Sequence, residues 1–452
     1  MSGSSSLVDR RVVHRAWVDS IPAHWDVVSL RWCAIRFSGG TPSKDNDDFW
    51  EGGDIPWLNS GAVNAGLIVE ASDFITEAAY LSSSAKWVPK GALVIALAGQ
   101  GKTKGMVAQL GFAATCNQSM AAIVPSRRID SRYLYWWLVS NYSNIRNMAG
   151  GEARDGLNLE MIGSIPCLAP PLEDQAYIAA HLDRETAKID TLIAKKRELI
   201  AKLKEQRSAL ISRTVTRGLP PEAAKAVGLD PNPPMKDSGV EWLGEVPAHW
   251  SVSPLGYLVD MFGGGTPDKS NPDYWDGDIP WVSAKDMKTP FIQDSEDHIS
   301  GIALASSAAS LVPTGSILIV VRGMILLHTF PVALTLAEVS INQDMKALVC
   351  GASISPKFLF WAISGAANHL VASADEAAHG TKKIDTAVFK RLELAFPTIP
   401  EQVEVVKYLD NSVASLDILL ARIETAITRL TEYRAALITA AVTGQLAIAS
   451  VR

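Results

Sequence analysis

Residues 96–103 read ALAGQGKT, in which Ala96, then four intervening positions, then Gly101, Lys102 and Thr103 have the spacing of a loop that wraps a nucleotide phosphate. That chemistry needs a strand before the loop and a helix straight after it, so that free amides and the positive helix end face the phosphates. GALVIALAG, Gly91 to Gly99, supplies the strand, being apolar and bounded by Pro89 and by glycines. The helix is the missing part. After Thr103 the chain runs KGMVAQLGFAATCNQ, where Gly105 and Gly111 interrupt any 3.6-residue pattern and the short apolar stretches read as hairpin strands. A second glycine pair, in GGTP at Gly39 to Pro42 and again at Gly264 to Pro267, also invites a phosphate, but paired glycines before Thr-Pro fit a tight turn better. His24 and His249 sit alike beside Pro and Trp and read as structural histidines.

The elements that position these residues are written twice. IPAHW at 21–25 returns as VPAHW at 246–250, and GGTPSKDNDDFWEGGDIPW at 39–57 returns as GGTPDKSNPDYWDGDIPW at 264–281, at an offset of 225 that falls to 224 after Gly53. Asn117-Gln118-Ser119-Met120 pairs with Asn342-Gln343-Asp344-Met345, and Tyr133-Leu134-Tyr135-Trp136 with Phe358-Leu359-Phe360-Trp361. In this register ALAGQGKT corresponds to VVRGMILL, Val320 to Leu327, which has neither the Lys nor the Thr. The glycines therefore mark a loop that varies between copies rather than a nucleotide site. DIPW, Asp54 to Trp57 and Asp278 to Trp281, reads as a loop running into a core strand.

Each copy closes with a proline-flanked helix start, PPLEDQ at 170–175 and PTIPEQ at 397–402. From there the residues Leu409, Val413, Leu416, Leu420, Ile423, Ile427, Leu430, Arg434, Leu437 and Ala441 follow alternating steps of 4 and 3, a seam of coiled-coil type. Shifted back by 227 the seam reads Leu182, Thr186, Ile189, Ile193, Lys196, Ile200, Leu203, Arg207, Leu210 and Thr214. Arg207 and Arg434 are thus matched polar residues that can set register, unless they snorkel outward. Helices of this length span roughly 60 to 65 Å, more than a domain core needs, so they read as spacers. The first leads to the second globular body and the second must run back, giving an antiparallel pair. Lys195–Arg217 carries eight Lys or Arg against two Glu, either a solvated face or a phosphate-facing stripe.

The expected class is α+β: two pseudo-symmetric globular α/β bodies separated by two long antiparallel helices forming a coiled coil. The boundaries read 17–171 for the first body, 172–217 for the first helix, 218–245 for a proline-rich linker, 246–398 for the second body and 399–444 for the second helix. The 48% hydrophobic and 20% charged content can fill real cores. The apolar run Ile317 to Val321 is cut by Arg322 and is far short of a membrane span, and MSGSSSLVDRRVVHRAW lacks an apolar signal core. Cys33, Cys116, Cys167 and Cys350 have no metal-ligand spacing and fit a reducing cytoplasm.

Two repeats, each introduced by a segment like DSGVEWLGEVPAHW, containing GGTP and DIPW and followed by PLEDQ or IPEQ and a long helix, resemble the specificity subunit of type I restriction-modification systems. The likeness runs from about Trp17 to Leu446. It implies two target recognition domains, each reading one half of a split double-stranded DNA site, with the helices as a ruler. It also implies two methyltransferase subunits carrying S-adenosylmethionine and adenine-N6 chemistry, motor nuclease subunits for ATP-dependent restriction, and no catalysis, cofactor or metal in this chain. NPPM at 232–235 and NPDY at 271–274 are poor matches to a methyltransferase motif. An enzyme built on the phosphate-like loop and a coiled-coil adaptor that reads no DNA are the alternatives.

Under the DNA reading, what the copies share is frame and what differs is readout. The copies differ most at 99–112 against 323–336 and at 143–157 against 368–384. Arg or Lys suits guanine and Asn or Gln suits adenine in the major groove. The candidates are Lys102, Lys104, Asn117, Gln118 and Arg154 in the first copy, and Arg322, His328, Asn342, Gln343, Lys382 and Lys383 in the second. The Asn-Gln pairs, being shared, can equally satisfy turn backbones, whereas the glycines of GEARDGLN and HGTKKID let backbone approach a duplex. Lys44 and Lys269, beside GGTP, are phosphate candidates. Residues 24–170 hold 12 Lys and Arg against 13 Asp and Glu, and residues 249–397 hold 10 against 15. Affinity for DNA from this chain alone should be modest, with partners neutralising much of the phosphate charge.

Overall fold

The computed structural model describes residues 10–12, 17–99, 101–149, 156–376 and 381–446. The chain divides into two compact units, residues 1–196 with 425–452, and residues 197–424. Each unit therefore holds one globular body and one stretch of each long helix.

In the first unit the apolar run of GALVIALAG becomes the strand Leu93–Ala96, buried at all four positions, and takes the middle of a five-stranded sheet. The order is Ala34–Ser38, Met120–Pro125, Leu93–Ala96, Val107–Leu110 and Leu67–Ile68, antiparallel except for the last pair. Alternation sends Leu93 and Ile95 to one face, against Tyr133, Leu134 and Trp137 of the helix Ser131–Ser140. Val94 and Ala96 go to the other, against Leu58, Val63 and Ile68. A strand buried on both faces explains why the run is continuously apolar. Thr115–Cys116, Ile55–Leu58 and Asp73–Ile75 form a smaller sheet, which contains the DIPW strand.

The second unit repeats this plan: Val259–Gly263, Met345–Cys350, Ile317–Val320, Val332–Thr335 and Phe291–Ile292 in the same order. Its smaller sheet has four strands, Asp297–Ile299, Ile279–Val282, Val339–Ile341 and Leu311–Val312. A third sheet, Arg322–Gly323, Lys382–Lys383 and Asp375–Glu376, has no counterpart among the described residues of the first unit. The segment read as a linker contains a short helix, Pro221–Ala226, and the paired strands Met235–Asp237 and Glu245–Pro247.

GGTP is not a turn. Gly39, Gly40, Gly264 and Gly265 have no positive φ. They are needed because backbone passes against them: a Cβ on Gly39 would lie 1.8 Å from the Cys116 carbonyl oxygen, and one on Gly264 would lie 2.1 Å from that of Ile341. Trp57 Nε1 donates to Gly40 O at 3.0 Å and Trp281 Nε1 to Gly265 O at 2.9 Å, which ties DIPW to GGTP in both units.

The long helices are Leu172–Arg217 and Ile399–Val442, 46 and 44 residues, or about 69 and 66 Å. Every residue of the seam is buried or half-buried. Within the first unit the two stretches run antiparallel. Gln175, near the first helix start, holds the Asp130 amide at 2.7 Å, and Tyr133 of the helix that begins there donates to Val442 O at 3.3 Å, near the second helix end. Farther along, Arg434 meets Asp190 at 2.8 Å. The second unit shows the same arrangement, with Gln402 on the Ser355 amide at 2.8 Å and Arg207 on Asp417 at 2.8 Å.

Candidate nucleic-acid interface

In each unit three segments meet at one end of the five-stranded sheet: the GGTP loop, the Asn-Gln turn and the connection between the second pair of central strands. Asn117 N–H donates to Leu58 O at 2.9 Å and Leu97 N–H to Ser119 O at 2.8 Å. The hydroxyls of Thr41 and Thr266 donate to the side-chain oxygens of Gln118 and Gln343. The two glutamines are exposed but engaged by GGTP, while Asn342 is half-buried and caps the Asp344 amide at 3.1 Å. Asn117 is half-buried, and its Oδ1 has no hydrogen-bond partner. These shared residues hold the frame of the site. Lys44 and Lys269 are exposed. Their loops are clamped by tryptophans, with Trp50 Nε1 on Ser43 O at 2.9 Å and Trp275 Nε1 on Asp268 O at 3.1 Å.

The variable connection in the first unit leaves Leu93–Ala96 and returns as Val107–Leu110, antiparallel to it. No helix follows Gly101, Lys102 and Thr103 before the chain returns as a strand, so the connection is the hairpin that Gly105 and Gly111 predict and not a phosphate loop. Lys102 is exposed near its tip, and its carbonyl accepts from Tyr142 Oη at 2.7 Å. Lys104, expected at the surface, is only 4% exposed, because the hairpin folds back onto the body. Arg146 props the same stretch, donating to Tyr142 Oη at 3.2 Å and Lys104 O at 3.4 Å. Tyr142 and Arg146 were not singled out from sequence; their spacing of four on one short helix, Tyr142–Asn147, is the signal that could have found them. Arg154 lies outside the described residues. The segment after it is joined to the hairpin by Leu157 N–H on Leu97 O at 2.8 Å.

The second unit uses the same backbone bond, Ile384 N–H on Val321 O at 2.9 Å, but builds a different tip. Arg322 lies directly across from Lys383, and Gly323 from Lys382, while Asp375 flanks Lys383 on the other side. Arg322 and Lys383 are exposed and Lys382 half-buried. Like charges opposed across a strand pair are unfavourable unless something anionic shares them. His328 ends the turn Met324–Leu327 and is exposed. The fold thus brings Arg322, Lys382 and Lys383 together from segments some sixty residues apart, while Lys269 belongs to the neighbouring GGTP loop.

His249 is structural: its Nε2 meets Glu401 at 2.9 Å, and Trp250 Nε1 donates to the other oxygen of that carboxylate at 2.9 Å. No helix among the described residues is long and apolar enough to cross a membrane.

The model of the family described as type I restriction modification DNA specificity domain matches residues 22–202 and again 247–429. The specificity subunit of the type I restriction enzyme EcoR124I/EcoR124II of Escherichia coli is 33% identical over 177 residues, 39% of this chain and 41% of that protein. That of the enzyme MjaIX of Methanocaldococcus jannaschii is 26% identical over 297 residues, 64% of this chain and 63% of that protein. In both cases the matched part is under two thirds of the relative's own length. A chain from a structure described as the basis of complex assembly and conformational transition of the type I R-M system superposes with a TM-score of 0.66 at 17% identity, covering 94% of this chain and 99% of that one. The HsdS subunit of Thermoanaerobacter tengcongensis gives 0.52 at 15% identity, covering 94% and 98%. At these identities the structural likeness shows the fold.

Proposed function

From a chain that belongs to the type I restriction-modification DNA specificity family, we propose a subunit that selects DNA and leaves the chemistry to others. Each unit reads one half of a split double-stranded site, and the length of the paired helices sets the spacing between the halves. The observation that carries this is one frame with two tips. The same five-strand order presents GGTP and an Asn-Gln turn in both units, while the adjoining loops differ, a bare hairpin in one and an Arg-Lys sheet in the other. Side chains that read bases must differ between half-sites, while the backbone that positions them need not.

Two methyltransferase subunits, carrying S-adenosylmethionine, would methylate adenine N6 on the selected site in the cytoplasm. Motor nuclease subunits would add restriction. The acidic balance of residues 249–397, 10 cations against 15 carboxylates, supports sharing the phosphate contacts with such partners. Genome-wide mapping of methylated adenines tests the reading. Cells with this chain should gain one bipartite motif, and replacing residues 20–170 with those of a relative should exchange one half of it. An unchanged motif would instead favour an adaptor that reads no DNA.

A further inference from the structure

One surface of the first unit is not accounted for by base reading. Ala34–Ser38 is the edge strand of the five-stranded sheet. Trp32, just before it, is 72% exposed, and Ile35 on it is 68% exposed. Arg36 follows Ile35 on the opposite face of the strand, on the side of Ala34, Arg31 precedes Trp32, and Arg127 and Arg128 follow the paired strand Met120–Pro125. Arg31 Nε donates to Gly163 O at 3.3 Å, and the Arg36 guanidinium lies over the same glycine, whose Cβ would be 2.8 Å from Cζ. Ser126 N–H donates to Cys33 O at 2.8 Å, so the backbone just before Arg127 meets that just after Trp32. None of the four arginines has an ion pair among the described residues, and Arg36 Nε is buried with no hydrogen-bond partner at all. The nearby Glu160, on the helix Leu159–Ser164, pairs with none of them.

The patch lies away from the reading loops. Ala34 pairs with Pro125 at one end of the sheet, whereas Ser38 pairs with Ala121, opposite Ile95, near the end where the 97–106 hairpin leaves. The strand between is roughly 15 Å long, so a duplex seated on the hairpin does not account for the arginines. The second unit keeps the frame but not the charge: the equivalent positions are Gly256, Tyr257, Asp260, Met261, Ala352 and Ser353.

Exposed aromatic and arginine side chains are the groups that anchor protein interfaces, and an open strand edge is a template for an added strand. We infer that the Arg31, Trp32, Ile35, Arg36, Arg127 and Arg128 surface docks an extended, carboxylate-bearing segment of a partner protein subunit, laid along the edge of Ala34–Ser38 in the first unit only. The proposal rests on the chain working inside a multisubunit complex, as argued above.

The test uses the full chain assembled with its methyltransferase partner and a duplex bearing its site. Ile35→p-benzoylphenylalanine is irradiated and the joined peptide sequenced. A partner-subunit peptide rich in Asp and Glu is expected, with its yield falling at least tenfold when Arg127→Glu and Arg128→Glu are added. DNA affinity should stay within twofold and the unfolding midpoint should not move. Tyr257→p-benzoylphenylalanine, the matched position in the other unit, should join no such peptide. The proposal is overturned by joining to DNA, to a second copy of this chain or to a peptide without carboxylates, by a yield that the charge reversal leaves unchanged, or by no product. If the unmodified chain neither assembles with the methyltransferase nor directs methylation, the functional reading itself has failed.

Discussion

Arg434 donates Nε to one oxygen of Asp190 at 2.8 Å and Nη2 to the other at 3.1 Å. The same fork recurs between Arg207 and Asp417 at 2.8 and 3.3 Å, and both partners of one pair are displaced by 227 from those of the other. A polar seam position thus has a stated partner in each unit. Arg434 also lies 5.8 Å from the Trp136 ring centroid, so it contributes packing as well as charge. With Asp190 53% exposed, Arg434→Ala should cost about 1 kcal/mol, less than the roughly 2 to 3 kcal/mol expected for Leu437→Ala in the buried seam. Arg434→Asp should cost more than Arg434→Ala, and adding Asp190→Arg should recover most but not all of the loss. Urea unfolding of the four variants measures this; a double variant no better than Arg434→Asp would show that the pair does not set register.

Gln175 and Gln402 lock each helix start to its body. Gln175 is fully buried, accepts from the Asp130 amide at 2.7 Å and donates to Pro170 O at 2.7 Å. Gln402 does the same for Ser355 and Pro397, at 2.8 and 3.0 Å. Removing either leaves a buried amide and carbonyl unmet, so Gln175→Ala and Gln402→Ala should each cost about 1 to 3 kcal/mol. Hydrogen exchange locates the damage: the amide of Asp130 should speed up in the first variant and that of Ser355 in the second, with no crossover.

Gly39→Ala should be far worse than its size implies. The new carbon would sit 1.8 Å from Cys116 O, and the clash is with backbone that cannot swing away, so a loss of roughly 3 kcal/mol or more is expected. Burial pushes the Cys116 thiol up to about 12, so at pH 8 it is protonated and shielded and should resist alkylation in the native chain. Peptide mapping after maleimide treatment should find Cys116 labelled in Gly39→Ala and unlabelled in Gly301→Ala, where a Cβ meets open space.

What was legible in the sequence is whatever depends on short-range pattern or on repetition. Gly105 and Gly111 disclosed a hairpin in place of a helix, and the alternating steps of the seam marked the buried line on both long helices. The repeat itself predicted one frame used twice. What escaped depends on long-range approach. The GGTP glycines look like a turn until Cys116 is known to pass against Gly39, and nothing local shows that Lys104 folds inward. Arg322 and Lys383 become neighbours only through strand pairing across 60 intervening positions. The arginine patch was missed because Arg31, Arg36 and Gly163 converge only in the folded body.

Arg322 and Lys383, opposed across two short strands, should fail in different ways. A planar guanidinium can take both acceptors of a guanine edge, whereas an ammonium on a flexible stem serves better as a point charge for phosphate. Arg322→Ala in the assembled complex should therefore lose about 1 to 3 kcal/mol of discrimination at one base pair of one half-site and leave the salt dependence of binding almost unchanged. Lys383→Ala should weaken all sequences alike and reduce the slope of log affinity against log salt by about 0.9. Binding of both variants to a panel of single-base-pair substitutions, at several salt concentrations, separates the two. If Arg322→Ala relaxed the half-site assigned to the first unit, or altered neither selectivity nor slope, the sheet of Arg322–Gly323 and Lys382–Lys383 would not be a reading surface.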